Sequence, residues 1–204
     1  MGLQLRNKTP KRRGKARFRE DRTDATRPND VWAMDFVHDQ LATGRKLRVL
    51  TVVDAYSHMS PIIDPRFRYR GEDVVEMQEK VCREIGYPKT VRVDKGSAFI
   101  SCDMDLSAYQ KDITLVRRGA RTGGALRGSL SRPGKPTDNG FIEALNSKLR
   151  AECLNAHWFM SLADAREKLE DWRRHYNEDR PHSAIGYNVP IAMHYPDGVT
   201  SPSS

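Results

Sequence analysis

The sequence predicts an α/β fold, a mixed central sheet flanked by helices, and three observations carry that expectation. Short apolar segments with period-two alternation fill residues 31–63, before any helical pattern begins. From residue 72 the apolar period becomes helical, broken by two further short strand-like runs. The chain has 204 residues, 38% hydrophobic and 30% charged, which suits one globular domain with a sizeable core.

The elements follow in order. Residues 31–37 read as a strand with Trp32, Met34 and Phe36 on one face and Val31, Ala33, Asp35 and Val37 on the other. Residues 46–54 form a second strand after a turn at Thr43-Gly44, and a third is expected around 59–63. A helix opens on the acidic pair Glu72-Asp73, repeats Val74, Met77, Val81 and Ile85, and stops at Gly86. Residues 90–93 are a short strand ending at Asp94, residues 103–111 a short helix, and 113–116 another strand. Residues 117–136 hold five glycines, two prolines and six basic residues, which is loop composition. A helix is expected over 138–152, capped by Asp138 or Asn139. The last long helix starts at Ser161, with Asp164 completing a capping pair, and buries Leu162, Ala165, Leu169, Trp172 and Tyr176. The resulting order is βββ-α-β-α-β-α-α.

The net charge of +8 is uneven. Residues 1–27 carry ten Lys/Arg against three acids and no apolar periodicity, so they read as a basic flexible arm. Residues 117–135 carry six basic residues and no acid, which leaves the remainder of the chain at −5. An acidic body with basic loose segments suits a polyanion partner, and Lys11, Arg12 and Arg13 are candidate phosphate contacts. A core is expected over 28–195 and a disordered tail over 196–204. The longest apolar run, within 49–53, is too short to span a bilayer, and no secretory signal pattern opens the chain. No membrane partner and a cytoplasmic location are expected. Cys82, Cys102 and Cys153 are too widely spaced for a zinc knuckle and read as reduced thiols.

Three carboxylates stand out for chemistry. Asp35 lies within a strand apolar on both faces, where an ionised group needs a partner; a metal ion or neighbouring polar groups would both serve. Asp94 ends a strand, as a metal ligand or an ordinary turn aspartate would. Glu143 lies off the apolar seam of Phe141, Ile142, Leu145 and Leu149, near the positive end of its helix, with Asn146 and Arg150 on the same outward arc. Asp54, at the end of the second strand, reads as structural. Collected together, three carboxylates make an oxygen-donor site for Mg²⁺ or Mn²⁺. Two such ions suit a phosphodiester displacement.

Residues 132–143, Arg-Pro-Gly-Lys-Pro-Thr-Asp-Asn-Gly-Phe-Ile-Glu, continuing through Asn146, Leu149, Arg150 and Glu152-Cys153-Leu154-Asn155, resemble bacterial insertion-sequence transposases related to retroviral integrases. Trp32-Ala33-Met34-Asp35-Phe36, Val53-Asp54-Ala55-Tyr56-Ser57 and Trp172…Tyr176-Asn177…Arg180-Pro181-His182 extend the likeness over residues 28–195. The resemblance implies a ribonuclease-H-like core and DNA strand transfer in transposition. It places the two-metal Asp-Asp-Glu set on Asp35, Asp94 and Glu143, with Mg²⁺ or Mn²⁺ as cofactor. Lys135, Asn139 and Arg150 would lie beside the active helix as phosphate contacts. It further implies DNA partners (element ends and target) and assembly as a homo-oligomer or with a full-length transposase.

The chain departs from the family pattern at several points. Lys95 and Ala98 stand where the family usually has an amide and a glutamate, and a cation beside a metal-binding aspartate competes with the metal. The 48 residues between Asp94 and Glu143 exceed the family spacing, which points to an insertion over 117–130. The family's N-terminal DNA-recognition region is not seen, and the chain opens in what resembles the linker beyond it. The alternatives to an active strand-transferase are therefore a truncated, catalytically impaired DNA-binding remnant, or an inhibitory partner subunit of a full-length transposase.

Overall fold

The structure is a computed structural model that describes residues 25–94, 96, 98–117 and 140–196. Strand β1 (Val31–Gln40) and strand β2 (Lys46–Asp54) form an antiparallel hairpin in which Asp35 lies opposite Thr51. The turn falls at Thr43-Gly44, and Gly44 takes the left-handed conformation (φ 81°) that its missing side chain permits. Strand β3 (Ile62–Arg66) pairs antiparallel with β2. It lies slightly later than the 59–63 expectation. Residues 54–60 are occupied by a tight turn in which Asp54 and Ser60 satisfy the backbone, leaving Met59 buried outside the ladder.

Helix α1 (Gly71–Ile85) follows, its first turn stabilised where the Asp73 carboxylate accepts the Arg70 N–H at 2.7 Å. Strand β4 (Thr90–Val93), helix α2 (Cys102–Gln110) and strand β5 (Thr114–Arg117) come next. Helix α3 (Gly140–Leu149) runs into a π-helical turn at Arg150–Leu154, where a single α-helix to 152 was expected. Residues 138 and 139 lie outside the described residues, so its expected cap does too. Helix α4 (Leu162–Glu178) begins as expected, with Ser161 Oγ accepting the Asp164 N–H at 3.1 Å. A short 3₁₀ turn at Ser183–Ile185 and helix α5 (Pro190–His194), neither foreseen, follow it.

The sheet order is β3-β2-β1-β4-β5, with β1, β4 and β5 mutually parallel. Period-two alternation sends each strand's residues to two layers. Trp32, Met34, Leu50, Val52, Val91 and Val93 meet Val74 and Val81 of α1 on one face. Ala33, Val37, Val49 and Val53 meet Ile142, Leu145, Leu149, Ala165 and Leu169 of α3 and α4 on the other. The expected stripe of α4 is the buried one, apart from Leu162, which is half-buried at its end. Arg173, fully enclosed, joins that stripe by pairing with Glu170 and donating to the Ser60 carbonyl at 3.2 Å. Among the described residues, no helix is long and apolar enough to cross a membrane.

Candidate functional site

The sheet register brings the first two carboxylates together. In the parallel β1–β4 pair Met34 lies beside Val93, so Asp94, the residue just past β4, follows level with Asp35. Adjacent strands lie about 4.8 Å apart. Val91 and Val93 belong to the α1 layer, and alternation turns position 94 toward the opposite face, the one Asp35 shares with Ala33 and Val37. That face is the one α3 covers. Ile142, Leu145 and Leu149 anchor the helix on the sheet, and this leaves Glu143 exposed at its N-terminal end.

Asp35 is half-buried and doubly held. Its Oδ1 accepts the Phe36 N–H at 2.7 Å, and its Oδ2 accepts the Asn146 Nδ2–H at 3.0 Å. Burial pushes its pKa above the ordinary carboxylate range, and the negative charges of Asp94 and Glu143 push the same way. The Phe36 and Asn146 donors oppose that rise. Asp94 and Glu143, from separate elements, thus both act electrostatically on Asp35. Among the described residues, no group of three or more His, Cys, Asp and Glu side chains is placed so as to hold a metal ion. As donors, carboxylates at a partly desolvated position suit a hard divalent cation, which would offset the burial and the neighbouring charges that raise Asp35.

Asn146 is the residue that sequence reasoning misplaced. It was expected on the outward arc with Glu143 and Arg150; instead it is 8% exposed, with Nδ2 on Asp35 and Oδ1 buried without a partner among the described residues. The available signal was its position three residues after Glu143, at the edge of the apolar stripe, where a side chain reaches the sheet. Arg150 remains exposed at the start of the π-helical turn. Lys11, Arg12, Arg13, Lys95, Lys135 and Asn139 lie outside the described residues. Ala98 is buried against the α1 layer.

The loop after Asp94 is anchored at Phe99. Its ring stacks on Phe36 with centroids 4.6 Å apart, and its carbonyl accepts the Arg117 guanidinium at 3.1 and 3.2 Å. Asp54, by contrast, is a structural acid as expected. Fully buried, it accepts the N–H groups of Asn29, Tyr56 and Ser57 and the Ser57 hydroxyl, at 2.7–3.0 Å.

Residues 25–121 and residues 125–190 each match a family described as Integrase core domain. The chain is 41% identical over 189 residues to a 31.7 kDa protein of insertion element IS407 from Burkholderia multivorans, covering 93% of this chain and 63% of that protein. It is 42% identical over 166 residues to a 39.2 kDa protein of insertion element IS476 from Xanthomonas euvesicatoria, covering 81% of this chain and 44% of the relative. The transposase for insertion sequence element IS904 from Lactococcus lactis is 29% identical over 169 residues, covering 81% of this chain and 61% of the transposase. This chain thus spans about half to two thirds of these relatives. Among solved structures, the chain resembles one from a simian T-cell lymphotropic virus intasome, at a TM-score of 0.67 and 16% identity over 88% of this chain and 59% of that one. It also resembles the HTLV-2 integrase catalytic core domain in complex with magnesium, in its dimeric form (TM-score 0.57, 15% identity, 83% of this chain and 98% of that one). These likenesses show the fold, a ribonuclease-H-like integrase core.

Proposed function

The chain belongs to the integrase-core family of insertion-element transposases, and from that premise we propose that it carries out metal-dependent DNA strand cleavage and joining in transposition. Asp35, Asp94 and Glu143 are its catalytic and metal-holding residues in this reading. One arrangement carries it: the parallel β1–β4 register sets Asp94 beside Asp35, on a sheet whose Asp35 face is packed by α3, the helix that bears Glu143. Mg²⁺ or Mn²⁺ bound there would supply charge neutralisation and an activated oxygen for phosphodiester displacement. Magnesium accompanies the HTLV-2 core that shares this fold.

The chain's own residues prepare that centre. Asn146 and the Phe36 N–H hold both oxygens of Asp35 in place, which lessens the reorganisation needed to bind a cation. The Phe36–Phe99 stack ties the segment after Asp94 to the strand that carries Asp35, and Arg117 ties it to β5. Helix α3 presents Glu143 in its first turn, where the helix dipole favours an anion. Arg150 and the basic residues Lys11, Arg12, Arg13 and Lys135, with Asn139, serve as DNA contacts, and the working form is an oligomer on DNA.

The test is nicking of supercoiled plasmid DNA in Mn²⁺ or Mg²⁺ by the wild-type protein and by Asp35→Asn. Metal-dependent nicking that Asp35→Asn abolishes, with the fold retained, is expected. Equal activity of the two proteins would refute the assignment of Asp35. A second reading, a catalytically impaired DNA-binding protein, is favoured by one observation: the three carboxylates are not gathered to hold an ion. It predicts salt-steep DNA binding with no metal-dependent nicking.

A further inference from the structure

The hairpin end of the sheet carries a basic and aromatic surface that the catalytic reading does not use. The Arg45 guanidinium lies 3.4 Å from the centroid of the Phe67 ring. Arg45, Lys46 and Arg68 are all exposed, and among the described residues none has a carboxylate within salt-bridge distance. Their basic neighbours differ. Arg66 is engaged by Asp64 and Asp73, and Arg70 by Glu72. Next to the hairpin turn, the Ala42 N–H donates to the Phe159 carbonyl at 2.8 Å, which sets the exposed Trp158 beside this patch.

We propose that Arg45, Lys46 and Arg68, with the Phe67 ring and Trp158, form a second contact surface for the backbone of duplex DNA, separate from the carboxylate centre. Charge complementarity selects the occupant. Outside its two basic segments the chain carries −5, so three exposed cations at one end of the sheet, with no carboxylate in salt-bridge range among the described residues, mark a site for a polyanion. Stacking on Phe67 occupies one face of the Arg45 guanidinium and leaves its edge donors for phosphate, in a side chain already restrained before binding. The placement also suits duplex. Arg45 and Phe67 belong to the layer that contains Asp35, and they lie four to six residues beyond it along the β1–β2 ladder. That is roughly 13–20 Å at strand rise. A duplex running from the carboxylates along this face would meet Arg45 and Phe67 about four to six base pairs away, and would meet Lys46, which alternation turns to the other face, and Arg68, just past β3, as it passes over the end of the sheet.

This inference rests on the reading that the protein acts on DNA, and not on the assignment of the metal ligands. The experiment measures binding of a 30-base-pair duplex by the full chain in the Asp35→Asn background, from low to moderate salt. The combined variant Arg45→Ala, Lys46→Ala and Arg68→Ala should flatten the slope of log affinity against log salt by about 2–3, near 0.9 per phosphate released. A control pair, Lys80→Ala and Arg83→Ala on the exposed side of α1, should leave the slope unchanged. Arg45→Lys keeps the charge but loses the planar stack; it should keep the slope and bind about two- to fivefold more weakly. An unaltered slope in the combined variant, or an equal loss in the control pair, overturns the proposal. Absence of any duplex binding by the parent protein would instead sink the DNA reading itself.

Discussion

Two aspartates on the same sheet, Asp35 and Asp54, should respond in opposite ways to neutral substitution. Asp54→Ala removes the acceptor for three backbone N–H groups and one hydroxyl, all within 3.0 Å of a fully buried carboxylate. Each orphaned donor costs about 1–3 kcal/mol. Because the four share one cavity and relax together, the total is expected near ~3–5 kcal/mol. Asp35→Asn removes a charge that burial and two neighbouring carboxylates already disfavour. Its new amide can donate to Asn146 Oδ1, which has no partner among the described residues, once the Asn146 amide turns over. Its stability at pH 7 should lie within ~1 kcal/mol of wild type, or slightly above it. Urea titration followed by tryptophan fluorescence reads both, since Trp32 is fully buried. With a slope of about 2 kcal/mol/M, Asp54→Ala should unfold roughly 1.5–2.5 M earlier. A midpoint for Asp54→Ala within 0.5 M (roughly 1 kcal/mol) of wild type would refute the structural role given to Asp54. A similarly large loss in Asp35→Asn would refute the view that Asp35 is held for chemistry at a cost to the fold.

Three further outcomes are expected. His182 is buried beside Lys148, with its pKa lowered to about 4 by burial first and by the Lys148 charge next. The folded state thus disfavours its protonation, and stability should fall as pH drops from ~6.5, where the unfolded histidine titrates, toward 4. The loss should be about 1–2 kcal/mol after allowance for solvent screening, and urea midpoints at pH 7.5 and 5 should differ less in His182→Gln. Asn146→Ala should reduce plasmid nicking at least about tenfold, as expected when a charge-assisted positioning bond is lost. DNA affinity should be retained, and a fall in affinity instead would mark Asn146 as a DNA contact. Deleting residues 1–27 should weaken duplex binding sharply and flatten its salt dependence; unchanged affinity would count against the basic arm.

Much of this architecture was legible because period and punctuation agree. Trp32, Met34 and Phe36 against Ala33, Asp35 and Val37 define a two-faced strand, and those faces are the two layers observed. Glu72-Asp73 and Gly86 bracket α1, and Ser161 with Asp164 opens α4. Asp54 read as structural and is enclosed by donors. The misses have physical causes. Met59 looks like a strand residue by hydrophobicity, but it is buried by a turn that Asp54 and Ser60 hold together through contacts remote in sequence. Helices α5 and the 3₁₀ turn are too short to show a period, and His194 is placed by its contact with Ser57 at 3.1 Å. Asn146 looked outward because a helical wheel ignores how far an edge residue reaches across the sheet. The three carboxylates were each unremarkable alone. Strand register sets Asp94 beside Asp35 and α3 packs over the face that carries Asp35, and both are tertiary.

The most direct test of the carboxylate centre is anomalous diffraction from crystals of the full chain soaked in Mn²⁺. Manganese density at the Asp35, Asp94 and Glu143 carboxylates, lost in Asp35→Asn crystals, is the predicted result. Millimolar Mn²⁺ that leaves these oxygens without metal, or binds only elsewhere, would contradict it.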